Sequence, residues 1–177
     1  MRRSLAGFAV LALIGFVASP AFASNLSEKQ HEMSFAASYV DTDNFGKTTS
    51  ISGQWQWIFG KGYNELGANL SYLKDSPDSG PSSDATIIGP IYTFNWMPDN
   101  DAVTGFVEAG YGFVAGDLSD FADAAWKASV GAKVFVGDSA AVRFAIFKQT
   151  VMGADNFDDV DSSGLEIGIS IFAGKKK

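Results

Sequence analysis

Six charged residues stand in segments where polar and apolar side chains otherwise alternate. They are Glu65, Glu108, Lys127, Lys133, Arg143 and Glu166. Charges of both signs that share one face can neutralise each other as ion pairs, and ion pairs that exchange partners can pass ions along. Two interpretations of this set therefore stay open, a plug of paired charges or a narrow gated ion path.

Catalytic residues are harder to find in this chain. Nucleophilic catalysis commonly uses a histidine base beside a serine or cysteine. The sequence has a single histidine, His31, and no cysteine, which also excludes disulfides and thiolate metal sites. We expect His31 to be solvated at the start of the first strand, and we predict no catalytic residue and no cofactor.

Aspartates are the remaining candidates for ligand binding. Residues 41–46 begin like a calcium-binding EF-hand loop, but Phe45 occupies the fifth position and Ser52 the twelfth, where a glutamate is needed. Further aspartates fall between the predicted strands: Asp75, Asp78, Asp84, Asp117, Asp120, Asp155, Asp158, Asp159 and Asp161. They could simply be solvated or could hold bridging divalent ions, and no protein metal site is predicted.

The amino-terminal segment has the features of a cleaved export signal. Arg2 and Arg3 precede an apolar run of about 13 residues, which is too short for a membrane helix of about 20. An Ala-x-Ala cleavage motif follows, so we predict a signal peptide at 1–23 and a mature domain at 24–177. Removing the two arginines leaves 11 basic against 20 acidic residues, a net charge of about −9, which makes nucleic acid a poor partner.

The mature chain shows period-two alternation rather than helical periodicity, which is typical of strands. We predict eight strands, at 31–41, 48–59, 62–74, 85–97, 102–114, 123–136, 140–150 and 162–172. Each is about as long as a tilted strand that crosses a bilayer, and longer than the usual soluble strand. Short turns at 60–62, 98–101 and 137–139 alternate with longer polar loops at 42–47, 75–84, 115–122 and 151–161.

The two faces of these strands differ sharply in polarity. One face is apolar and rich in aromatic residues, such as Phe35, Trp55 and Leu70, whereas the other carries the six charges together with serine, glutamine and asparagine. Unpaired buried charges are too costly for a dry protein core. We therefore predict an all-β, eight-stranded antiparallel up-and-down transmembrane barrel, with the apolar face toward lipid and the polar face inside.

Several positions refine this prediction. Aromatic residues cluster at strand ends, as expected for the two membrane interfaces: Tyr39, Trp57, Phe59, Tyr63, Tyr72, Phe94, Trp96, Phe113 and Trp126. Six apolar residues fall on the inner face: Ile58, Ile87, Ile91, Phe106, Phe135 and Phe147. Either the interior is partly apolar or a bulge shifts the register.

Pro90 lacks an amide hydrogen and should weaken one rung of the ladder.

The segments 88–96, 105–112 and 164–172 resemble the small eight-stranded outer-membrane barrels of the OmpA transmembrane-domain and OmpX type. The resemblance covers essentially the whole mature chain. The resemblance implies insertion by the outer-membrane assembly machinery, which reads a final aromatic residue. Here Phe172 is followed by five more residues, including Lys175 to Lys177. Because short turns of such barrels face the periplasm and the number of strands is even, we expect both termini on the periplasmic side and four outward loops in a structural or surface-interaction role. We also expect a monomer in contact with outer-membrane lipid and lipopolysaccharide.

Two other functions remain as alternatives. A narrow gated ion pore would use the charged interior, although eight strands leave room for little more than side chains. A lipid A-modifying enzyme is the second alternative, because the segment 106–112 is similar to lipid A deacylases. The His-x-Ser pair of those enzymes is absent from this sequence, so we expect no enzymatic activity.

Overall fold

The computed structural model describes residues 26, 30–42, 46–76, 82–99, 102–154 and 158–174. The predicted signal peptide at 1–23 and the lysines at 175–177 lie outside these residues. Within them, no helix is long and apolar enough to cross a membrane.

Eight antiparallel strands form a closed barrel in chain order. They are β1 (His31–Thr42), β2 (Gly46–Phe59), β3 (Asn64–Ser76), β4 (Ser83–Trp96), β5 (Val103–Ala115), β6 (Ala122–Gly137), β7 (Ala140–Gly153) and β8 (Val160–Ala173). Each strand pairs with the next, and β8 closes on β1 through a register that runs from His31 opposite Ala173 to Ser38 opposite Glu166. The predicted fold class and all eight predicted strands are confirmed.

The connections differ from the prediction. At one end of the barrel, the loop rim, strands are joined by 43–45, 77–82, 116–121 and 154–159; at the other, the turn rim, by 60–63, 97–102 and 138–139. The expected contrast between long loops and tight turns is therefore wrong, because the strands continue into residues that were assigned to loops.

Polar contacts between neighbouring strands accompany these extensions. The Thr48 hydroxyl donates to Asp75 at 3.0 Å, and the Thr150 hydroxyl donates to Asp161 at 2.5 Å. Apolar alternation does not detect such polar strand ends. A short 3₁₀ helix, Asp117–Asp120, lies in the connection between β5 and β6.

The polarity of the wall is inverted relative to that of a soluble barrel. The predicted outer residues face outward, with Leu70 and Trp55 about half exposed at 53% and 50%, whereas the predicted inner residues are buried or half-buried. All six apolar residues predicted on the inner face are buried as well. The one register shift near them lies after Phe135, between Phe135 and Gly137. The interior is therefore partly apolar, which decides between the two alternatives.

Two local features shape the wall. Pro90 faces outward. In the β4–β5 register Ile88 lies opposite Phe113 and Ile91 opposite Gly110, but Gly89 and Pro90 between them have no partners on β5. The predicted weakening of the ladder at Pro90 is therefore confirmed, and it extends to Gly89. At the turn rim, Gly62 has a φ of 90°, and a Cβ there would lie 2.8 Å from the carbonyl oxygen of Leu26, so a side chain would collide with the amino-terminal segment.

Candidate functional site: an ionic network across the barrel interior

Five charged side chains meet near the turn-rim half of the interior and form what we call the central network. They are Glu32, Glu65, Glu108, Lys133 and Arg143, each exposed by 2% or less. Because strand residues alternate between faces, each of these side chains is directed inward by its position on its own strand. All eight strands supply polar groups to this region: Glu32 and Ser34 (β1), Gln54 and Gln56 (β2), Glu65 (β3), Thr93 and Asn95 (β4), Glu108 (β5), Lys133 (β6), Arg143 (β7) and Ser170 (β8).

Arg143 joins opposite sides of the interior. Its Nη2 lies 2.8 Å from Glu108 Oε2, and its Nη1 lies 3.2 Å from Glu32 Oε1. Nη1 also donates to Ser34 Oγ at 3.1 Å and to Gln54 Oε1 at 3.0 Å. The guanidinium carbon lies 4.6 Å from the centre of the Phe106 ring, an arrangement that favours a cation. One planar cation is thus held by three strands besides its own, β1, β2 and β5.

Lys133 bridges Glu32, which it shares with Arg143, and Glu65. Its ammonium group pairs with Glu32 Oε2 and lies 2.5 Å from Glu65 Oε1. The Asn95 amide nitrogen donates to that same Glu65 oxygen at 2.6 Å and to the carbonyl oxygen of Gly62 at 3.1 Å. The β6–β7 register places Lys133 directly opposite Arg143, so the two cations share a level and face carboxylates from β1, β3 and β5.

Uncharged groups complete the coordination of the carboxylates. Glu108 Oε1 accepts from the Gln54 amide at 3.2 Å, and Glu108 Oε2 lies 3.1 Å from the Thr93 hydroxyl. Glu32 Oε1 accepts from the Ser170 hydroxyl at 2.6 Å. Buried carboxylates are tolerated when opposite charges and hydrogen bonds replace their hydration, and these contacts supply both.

A separate ion pair lies nearer the loop rim. Lys127 and Glu166 are in direct contact and form what we call the outer pair. A cavity of about 20 Å³ lies between this pair and the central network, lined among others by Asn69, Glu108 and Lys127. That volume is enough for about one water molecule.

Apolar side chains close the turn-rim end of the interior. This apolar seal consists of Leu26, Ile58, Phe135, Ala141 and Phe172. The backbone amide of Leu26 donates to the carbonyl oxygen of Pro98 at 3.1 Å, and the rings of Phe135 and Phe172 lie 5.6 Å apart. Water that enters from the loop rim therefore meets the ionic network and then a layer of hydrocarbon.

The structure brings together four of the six sequence-predicted charges. Glu65, Glu108, Lys133 and Arg143 belong to the central network, whereas Lys127 and Glu166 pair with each other at a different level. The β7–β8 register places Gly168 opposite Arg143 and Glu166 opposite Ala145, so Glu166 does not lie at the height of Arg143. Glu32 was absent from the predicted set, although its position in the alternation places it on the inner face. It is the second residue of β1, and its place at the end of a strand gave no sign that it lies in the centre of the network.

The other candidate residues are placed as follows. His31 is the first residue of β1 and stacks on Trp55, with ring centroids 5.1 Å apart. On the loop rim, Asp161 contacts Lys148 at 2.9 Å, and Asp84 accepts from the Tyr72 hydroxyl at 2.9 Å. The Thr150 hydroxyl and the Lys148 ammonium lower the pKa of the exposed Asp161 carboxyl.

No metal centre is assembled from these acidic groups in the part of the chain that the structure describes. Within it, no three histidine, cysteine or acidic side chains are grouped so that they could hold a metal ion. Asp78 and Asp155 lie outside the described residues, and solvation and bridging divalent ions stay the two alternatives for the loop rim.

Comparisons with known proteins identify similar folds rather than relatives in sequence. No protein-family model matches the chain, and no curated protein matches its sequence. Among solved structures, the N-terminal β-barrel domain of Pseudomonas aeruginosa OprF is 11% identical with a TM-score of 0.56, covering 82% of this chain and 98% of that one.

Two further barrels resemble this chain to a similar degree. Neisserial surface protein A is 14% identical with a TM-score of 0.58, over 81% of this chain and 97% of that one. A designed transmembrane β-barrel is 15% identical with a TM-score of 0.52, over 84% and 99%. At these identities the similarity establishes the fold, which is that of the eight-stranded transmembrane β-barrels.

Proposed function

We propose that this protein is an integral outer-membrane β-barrel of the OmpA and OmpX type, with a structural or surface-interaction role. The observation that carries the proposal is the inverted polarity of the wall: hydrocarbon faces outward all around the barrel, and ionic groups are enclosed. An outward surface of this kind is unstable in water but suits acyl chains.

The dimensions of the barrel support the same conclusion. The strands have 12 to 16 residues. A strand of 14 residues is about 46 Å long and, tilted by about 40°, rises about 35 Å, whereas the apolar band of such barrels is about 25 Å tall. Both rims therefore extend beyond the hydrocarbon layer.

The orientation follows from the positions of the chain ends. Both ends of the wall lie on the turn rim, because β1 begins there and β8 ends there. In our proposal the signal peptide is removed before Ser24, the assembly machinery inserts a monomer, and the turn rim faces the periplasm. The loop rim then faces outward, where lipopolysaccharide and lipid are the proposed partners.

The interior favours a closed barrel over a permanent pore. The five charges of the central network contact one another across the lumen, and the apolar seal lies below them. The proposed role therefore belongs to the outer surface and to the loop rim, and it involves neither conduction nor catalysis.

Fractionation of cells that express the full chain tests this proposal. We expect the protein in the outer-membrane fraction, migrating faster on a detergent gel when unboiled than when boiled, because a closed ladder resists detergent. Release into solution by osmotic shock would contradict it. Protease added to intact cells should cut within 154–159 and spare 60–63, and the opposite pattern would reverse the orientation.

A further inference from the structure

The charges of the central network do not balance if every group is ionised. Glu32, Glu65 and Glu108 supply three negative charges, and Lys133 and Arg143 supply two positive ones. The next cation along the interior, Lys127, pairs with Glu166. One negative charge would then be buried without a partner, which costs several kcal/mol.

The hydrogen bonds indicate which carboxyl carries the excess. Both oxygens of Glu32 contact donors, from Ser170, Arg143 and Lys133. The two oxygens of Glu108 likewise contact the amide of Gln54, the guanidinium of Arg143 and the hydroxyl of Thr93.

Glu65 differs from the other two carboxyls. Its Oε1 contacts Lys133 and Asn95, but its Oε2 is buried and has no hydrogen-bond partner among the described residues. The amide oxygen of Asn95 is a second buried acceptor without a partner. Since the nitrogen of that amide already donates to two acceptors, exchanging its oxygen and nitrogen would place the amide oxygen against two other acceptor oxygens.

We propose that the central network holds one proton, bound to the carboxyl of Glu65. The proton makes the network electrically neutral, and it turns the one unpartnered carboxyl oxygen of the network into a donor. Glu65 also shares the Lys133 ammonium with Glu32, so its proton removes the repulsion between two carboxylates that face one cation. A metal cation fits less well, because the one-water cavity is lined by other residues and does not reach Glu65 or Asn95.

The site makes the interior sensitive to pH. Glu65 faces Glu32 and Lys133 across the lumen and Asn95 on the neighbouring strand. Arg143 and Glu108 are the next charged groups of the network. Because the folded barrel binds a proton that the unfolded chain releases near neutral pH, stability falls as the pH rises. For one proton, the unfolding equilibrium constant rises by up to about tenfold per pH unit. The inference depends on the enclosed network and not on what the loop rim binds.

Infrared spectroscopy of the folded full chain in detergent micelles near neutral pH tests the proposal. We expect the C=O stretching band of one protonated carboxylic acid, shifted in heavy water. The band should be lost in Glu65→Gln and kept in Asp99→Asn, a control at an exposed acid. A folded wild-type barrel without this band overturns the proposal, as does a band that survives Glu65→Gln.

Unfolding in urea supplies a second readout. Glu65→Gln replaces the neutral acid with a neutral amide, so its unfolding midpoint should match that of the wild type at acidic pH, where Glu65 is protonated in both the folded and the unfolded state. Near neutral pH the midpoint of Glu65→Gln should be higher than that of the wild type, because the amide takes up no proton on folding, and its loss of stability with rising pH should be smaller. If Glu65→Gln fails to fold, the presence or absence of the carboxylic-acid band in the wild-type spectrum still tests the proposal. A wild-type midpoint that changes when sodium is replaced by potassium or choline would indicate a bound metal cation and overturn the proton assignment.

Discussion

Replacing Arg143 with methionine should destabilise the barrel far more than removing a cation from its surface. Arg143 is 2% exposed and holds Glu108 at 2.8 Å and Glu32 at 3.2 Å. Methionine keeps much of the side-chain volume but leaves both carboxylates short of a partner. Breaking a buried ion pair in this way costs about 3 to 5 kcal/mol. The unfolding equilibrium constant should rise by a factor between about 100 and several thousand.

Lys148→Met is the matched control for this prediction. Lys148 lies on the same strand and contacts Asp161 at 2.9 Å, nearly the distance of the buried pair, but the two side chains are 55% and 58% exposed. Exposed pairs contribute about 1 kcal/mol or less. Urea unfolding from lipid vesicles, followed by tryptophan fluorescence, compares the two variants. Equal losses of stability in the two variants would refute the reasoning, because the enclosed ion pairs would then contribute no more than an exposed one.

Three further predictions concern the outer face, the interior and the absence of catalysis. Leu70→Arg should lower the free energy of unfolding in lipid vesicles by about 2 to 4 kcal/mol, because Leu70 faces outward within the apolar band. If urea unfolding shows no change in this free energy, the outer face lies in water. In planar bilayers the wild-type protein should show no discrete conductance steps, since the central network and the apolar seal fill the interior; openings that vanish in Glu108→Gln would support the gated pore instead. Mass spectrometry of lipid A should give the same acyl pattern with and without the protein, and any acyl-chain difference would establish the enzyme alternative.

The strands and their two faces were predictable because period-two alternation is a local property of the sequence. Phe35 and Leu70 face outward and Ser34 and Glu65 inward, as their parity indicates. The strand ends were less predictable: Asp75 looks like a loop residue, yet it lies opposite Thr48 in the β2–β3 register and accepts a hydrogen bond from the Thr48 hydroxyl. Polar pairs of this kind carry no apolar signal.

The partners within the interior could not be read from parity. Parity places a side chain inside the barrel, whereas its height depends on the stagger between strands that are distant in sequence. Glu32 and Lys133 are 101 residues apart and meet only because the barrel closes. The same stagger separates Glu166 from Arg143 and brings it to Lys127. The unpartnered oxygen of Glu65 is likewise a property of the assembled interior.

Quenching of tryptophan fluorescence by lipids with brominated acyl chains tests the central claim most directly. Trp55, Trp57 and Trp126 are exposed and Trp96 half-buried on the outer face of the wall. If that face contacts hydrocarbon, vesicles of brominated lipid should strongly quench the folded protein relative to unbrominated vesicles. Equal fluorescence in the two kinds of vesicle would show that the outer face meets water, and the inverted barrel would be wrong.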